Sequence, residues 1–168
     1  TSRLTKVMTT IKNLDATSAR GQRNVGVAIA SPAAKELLKG FNFNIRSILG
    51  SVLYKPFSVD VATGAITIQG LVPINEITAP AGATHMTIRS AWAKLDFVQG
   101  IKSVEISNEY NGLIDATSVD VTLTPTQAPT GTGTDVYLLM IEFFQEVNGN
   151  QYSLNNGQYN ALSIVEVN

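Results

Sequence analysis

The residues with the chemistry to act on a ligand are few and scattered. His85 is the single histidine, and a lone imidazole lacks the further ligands or the base and orienting partner that metal or nucleophilic catalysis needs. Carboxylates are numerous in the second half of the chain, among them the seven Asp96, Glu105, Glu109, Asp115, Asp120, Asp135 and Glu142. A glycosidase needs two such groups facing each other across a cleft. Most of these seven instead occupy outward positions of alternating stretches or turns. Glu142 differs, because it interrupts the apolar run "LLMIEFF". An edge position facing a base from the front half of another copy suits it best. Near the end, "QEVNGNQYSLNNGQYN" supplies two aromatic rings, Tyr152 and Tyr159, beside the amides of Asn150, Gln151, Asn155 and Gln158. Such rings stack on pyranose faces and such amides bond sugar hydroxyls. Tight turns at Asn148-Gly149 and Asn156-Gly157 account for the same residues without a ligand, since Asn and Gly tolerate positive φ.

Composition narrows the choice. No cysteine is present, so disulfides and thiolate chemistry are excluded. No phosphate-binding loop, dinucleotide fingerprint, nucleophile elbow or calcium loop occurs. The expectation is therefore a protein that is not an enzyme and uses neither metal nor cofactor. Charged residues make up 15% of the chain, below the usual figure of about 25%, so Thr, Ser, Asn, Gln and Gly must cover much of the surface. No apolar run approaches the roughly 18 residues of a membrane span. Because the sequence starts at Thr1 rather than Met, a processed longer precursor is expected. A surface of this kind also fits an extracellular or cell-surface protein.

Charge is divided along the chain. Residues 1–55 hold nine bases against two acids, a net +7, and residues 56–168 hold three bases against eleven acids, a net −8. The bases are too dispersed, and too little interleaved with aromatics, to resemble a nucleic-acid arm. A basic front and an acidic back suit docking of one copy on the next, with Arg20, Arg23 and Glu142 as electrostatic assembly contacts. Tyr152, Tyr159, Asn150 and Asn155 are the matching candidates for a subunit or glycan contact.

The elements that must position these groups follow from hydrophobic period. "SRLTKVMTTIKNL" repeats apolar residues at helical spacing, with Thr1 or Ser2 as cap. "SPAAKELLKG" has Ser31 as N-cap, Pro32 in the first turn and Gly40 as stop. "NIRSILGSVL" predicts a third helix from a capping Asn44, while "VGVAIA" is open between helix and strand. From Pro56 the period becomes two. "FSVDVATGAITIQ" predicts a hairpin turning at Gly64. A long strand over 83–98 carries a bulge near Ala91–Ala93. "KSVEISNEY" alternates, placing Val104 and Ile106 inward. "SVDVTLT" follows, then "DVYLLMIEFFQEV", apolar on both faces and so central, then the hairpin at Asn148-Gly149 and "ALSIVEV". "TPTQAPTGTGT" (124–134) predicts a mobile loop or an arm ordered on a neighbour. The fold expected is mainly β: an antiparallel β-sandwich of about eight or nine strands, with a short helical N-terminal region. Residues 1–55 form the helical, basic part and 56–168 the acidic sandwich.

Three segments carry a resemblance: "RGQRNVGVAIASPAAKELLKGFNFN" (20–44), "LGSVLYKPFSVD" and "APAGATHMTI". Their Arg-Gly-x-Arg, Leu-Leu-x-Gly-Phe-x-Phe-Asn and Pro-x-Gly-Ala-Thr-His patterns are similar to an uncharacterised group of Bacteroidota proteins of unknown function. The resemblance implies a bacterial protein and brings no activity or functional residue with it. The expected function is that of a structural, self-assembling subunit of an extracellular or surface filament, layer or particle. Its partners are copies of itself, joined by heterologous contacts between basic front and acidic back. A carbohydrate-binding or adhesin module and a phage or virion structural protein are the alternatives.

Overall fold

The change of period near Pro56 is also the change of secondary structure. A computed structural model describes residues 2–168. Four short helices come first: α1 (Arg3–Asn13), α2 (Val25–Ala28), α3 (Pro32–Leu38) and α4 (Leu49–Val52). The strands are β1 (Ser58–Val59), β2 (Ile66–Leu71), β3 (His85–Asp96), β4 (Ile101–Leu113), β5 (Val119–Leu123), β6 (Thr134–Val147), β7 (Asn150–Ser153) and β8 (Ala161–Val167). A single helical turn, α5 (Pro73–Glu76), separates β2 from β3. All strand pairs are antiparallel. A three-stranded sheet runs β1-β2-β5, and a five-stranded sheet runs β4-β3-β6, with β7 and β8 sharing the far side of β6. The chain is thus mainly β, an open antiparallel sandwich with a helical N-terminal region.

β6 is central because it is apolar on both faces. Tyr137, Leu139, Ile141 and Phe143 point inward, where they meet Ile66 and Ile68 of β2, Leu123 of β5, and Met86 and Ile88 of β3. Each such side chain, fully buried, contributes about 1.5–3 kcal/mol. The Tyr137 hydroxyl donates to the Val61 carbonyl at 2.7 Å, and its ring stacks on Trp92 with centroids 5.5 Å apart. Burial pushes the Tyr137 hydroxyl up to about 12, with the charge of Asp135 adding to the effect.

The opposite residues of β6, β3 and β8 face outward. At one end of that outer face Ala93, Val136, Ile164 and Val167 pack against Ile11, Ala28, Ile29, Ala34 and Leu38. α1, α2 and α3 therefore form a third layer over part of the larger sheet, while Leu49 and Val52 of α4 join the inner core. Residues 40–43 then run beside β8: the Gly40 and Phe43 amides donate to the carbonyls of Ile164 and Leu162 at 2.8 and 2.9 Å. This covers a sheet edge that would otherwise present free backbone groups.

The caps of the first and third helices match expectation. Ser2 Oγ accepts the Thr5 N–H at 3.1 Å and Ser31 Oγ the Ala34 N–H at 3.3 Å; Thr1 lies outside the described residues. "VGVA" is a helical turn capped by Asn24. The helix expected from Asn44 begins instead at Leu49. Asn44 is occupied elsewhere, donating to the carbonyls of Gln158 and Asn160 at 2.9 Å each. The bulge of β3 falls between Arg89 and Ala91.

The 124–133 segment is bonded to its own chain. It lies along the free edge of β4, where Ser107 bridges Pro125. The Thr124 N–H donates to Asn108 Oδ1 at 2.8 Å, Gln127 Nε2 to Glu105 at 2.9 Å, and the Thr130 N–H to Ser103 Oγ at 3.1 Å.

Candidate functional site

β4 departs most from the sequence-based expectation, and the departure creates the main site. Its alternation is real, but Val104 and Ile106 stand opposite Ala93 and Ala91 of β3 and point to the outer face of the larger sheet. They are 48% and 58% exposed. The expected inward placement fails because the smaller sheet covers the other side of this strand's neighbours, and the helical layer stops short of β4. Between β4 and β6 the alanines are too small to fill the outer surface. The result is an open groove of about 600 Å³. Its floor is Ala91, Ala93, Leu138 and Met140, one wall is Val104 and Ile106, and the other is Leu4 and Met8 of α1 with Phe43 at the rim.

Charge closes one end of the groove. Arg89, on β3, donates through Nη2 to Glu142 Oε2, and its Nε lies 3.8 Å from Glu109. Glu142 Oε1 also accepts from Asn160 Nδ2 at 3.2 Å. Farther along the same face Asn111 donates to Thr87 Oγ1 at 2.9 Å and exchanges two bonds with Gln151 at 2.8 and 2.9 Å. His85 ends the row, 3.4 Å from Glu146 and 3.0 Å from Thr84 Oγ1. Thus one half of the outer face is apolar and the other is a hydrogen-bonded polar network. Glu142 is held by Arg89 of its own chain, which is why an acid is tolerated inside "LLMIEFF".

The four residues proposed as a subunit or glycan contact do not form one cluster. Asn150 opens β7 opposite Val147, and exposed Tyr152 pairs with Gln145. Asn155 and Tyr159 line a separate cavity of about 390 Å³ with Arg46, Thr78 and Phe143. The hairpin at Asn148-Gly149 forms with φ of 52° and 79°. The second turn is tighter than expected, because Asn155, Asn156 and Gly157 all have positive φ, at 48°, 51° and 75°. The Tyr159 carbonyl accepts from Ser47 Oγ at 2.6 Å, anchoring this turn to the helical region. Arg20 and Arg23 do come together, around a third cavity with Lys12; Glu142 is not part of it.

Sequence reasoning missed the groove residues Leu4, Met8, Phe43, Val104 and Ile106 as a set. The signal was present in Ala91 and Ala93, two small residues facing β-branched partners on the next strand. Among the described residues no three His, Asp or Glu side chains are placed to hold one metal ion, and no helix is long and apolar enough to cross a membrane.

Fold and site together define an open antiparallel sandwich with a helical layer over one end of its larger sheet and an apolar groove beside that layer. No family model, curated protein or solved structure matches the chain.

Proposed function

We propose that this chain is a structural subunit that self-associates into a filament, layer or particle, with the groove of one copy receiving apolar surface of the next. The observation that carries this reading is the open groove itself. Val104 and Ile106 lie against water beside a cavity large enough for several aliphatic side chains, and contiguous exposed apolar surface of this kind marks interaction sites. Charge favours a second copy as the occupant. Lys6, Lys12, Arg20, Arg23 and Lys35 of the helical layer make no ion pair among the described residues, and neither do Glu105, Asp115 and Asp120 of the sandwich. A helical layer with free bases can face a sandwich with free acids, and such a heterologous contact repeats into rings or open filaments. An extracellular or surface setting for the assembly belongs to the same proposal.

Sedimentation velocity and negative-stain electron microscopy test it. The wild-type chain forms large species that shrink at high salt as the charge attraction is screened. A monodisperse monomer at every concentration and salt would end the proposal.

A glycan is the second reading, favoured by the cavity that Tyr159 shares with Asn155, Arg46 and Thr78. A glycan screen with wild type and Tyr159→Ala decides it: retention lost in the variant supports the site, and no binding to any glycan removes it.

A further inference from the structure

The end of α1 and the loop that follows it set three bases around one cavity. Lys12, in the last turn of α1, lines a cavity of about 190 Å³ together with Arg20 and Arg23, Asn13 and Gly21 completing the wall. None of the three bases has a carboxylate within 4.0 Å among the described residues. Arg23 Nη1 donates to the Asn13 carbonyl at 3.4 Å, which holds its guanidinium over the end of α1.

The loop that carries Arg20 and Arg23 is shaped by a buried acid. Asp15 is buried beneath the loop. Its Oδ1 accepts the Thr17 and Ser18 N–H groups at 3.1 and 3.0 Å and the Thr17 hydroxyl at 3.0 Å, and its Oδ2 accepts the Asn24 N–H at 3.2 Å. These donors, Ser18 foremost, hold the Asp15 carboxyl well below the usual carboxylate range. The nearby anion is therefore spent on shaping the loop, with its oxygens bonded to loop N–H groups and the Thr17 hydroxyl rather than to the bases. Gly21, at φ 94°, reverses the chain between the two arginines in a conformation that side chains with a Cβ rarely adopt.

We infer that the Lys12, Arg20 and Arg23 cavity is an oxyanion site that takes one phosphate or carboxylate group, as a free anion or on a side chain of a second copy. Two guanidinium forks and an ammonium supply charge-assisted donors suited to such a group, and a bound anion removes the mutual repulsion of the bases. Inorganic phosphate is the probe, titrated into the full chain at constant ionic strength and followed by amide NMR. The Gly21, Gln22 and Arg23 amides shift saturably, and Arg20→Ala with Arg23→Ala weakens the apparent affinity by about tenfold or more. Lys35→Ala, which removes a base of the same helical layer outside the cavity, leaves the affinity unchanged. Shifts that never saturate, or equal weakening by Lys35→Ala, overturn the site and leave only diffuse attraction. Sedimentation in phosphate against chloride at matched ionic strength then assigns the source. Dissociation by phosphate alone identifies a carboxylate of a second copy, and unchanged association identifies a free anion. Because phosphate binding is read on the loop itself, the site stands or falls independently of the groove.

Discussion

The two faces of the five-stranded sheet are made by the same strands and have opposite fates. On the inner face Met86, Ile88, Tyr137, Leu139 and Ile141 are wholly buried beneath the smaller sheet. On the outer face the helical layer covers only one end. Ala93 and Val136 are buried there, while Val104 and Ile106 stay open and Arg89 and Glu142 mark a charged boundary. Strand alternation settles which residues share a face. Whether that face becomes core or binding surface depends on elements arriving from elsewhere in the chain. The inner face holds the molecule together, and the outer face is free to hold something else.

The comparison breaks most visibly on the inner face. Leu139→Ala removes a fully buried side chain between the sheets and costs about 2–5 kcal/mol in urea unfolding. A loss under about 1 kcal/mol would mean that the sheets pack more loosely than described. Tyr137→Phe deletes the bond to the Val61 carbonyl and costs about 1 kcal/mol. The raised Tyr137 hydroxyl adds an alkaline signature. Its stabilising contribution is complete below the unfolded value of about 10 and is lost as pH rises through the folded value of about 12. An ultraviolet titration should show Tyr137 ionising last, with Tyr110 also pushed upward by its burial, and all five tyrosines ionising together near pH 10 would contradict this.

Glu142→Gln sharpens the boundary between the two halves of the outer face. Glu142 and Arg89 are both partly exposed, so solvent screening limits the loss to about 0.5–1 kcal/mol of chain stability. If Glu142 acted between copies, the same change would weaken association and leave unfolding untouched. Smallest of all is Ile106→Ala, which alters unfolding by no more than about 0.5 kcal/mol because its side chain is already half in water.

Much of this division was legible in the sequence. The double-sided apolar run of β6 announced the central strand, Asn148-Gly149 the hairpin, and Ser31-Pro32 a helix start. The alternation of β4 was legible too, but period says nothing about side, and a one-residue change of register sends every side chain to the other face. The alternation alone therefore predicts an inward placement for Val104 and Ile106. Asn44 had the right residue type for a helix cap, yet its partners, the Gln158 and Asn160 carbonyls, are more than a hundred residues away. The Thr/Pro/Gly-rich composition of 124–134 suggests a mobile loop or an arm ordered on a neighbour, and the bonds of that segment to Asn108, Glu105 and Ser103 are ones no local pattern encodes. Glu142 was recognised as unusual, but its neighbour Arg89 is 53 positions earlier in the chain.

The most direct measurement is the sedimentation of wild type against Ile106→Asp, with unfolding followed on the same samples. If the outer groove joins copies, the wild type sediments as large species and Ile106→Asp as a monomer, with unfolding midpoints nearly equal. Identical sedimentation of the two proteins would contradict the account, because a charge placed in the open wall of the groove would then have disturbed nothing.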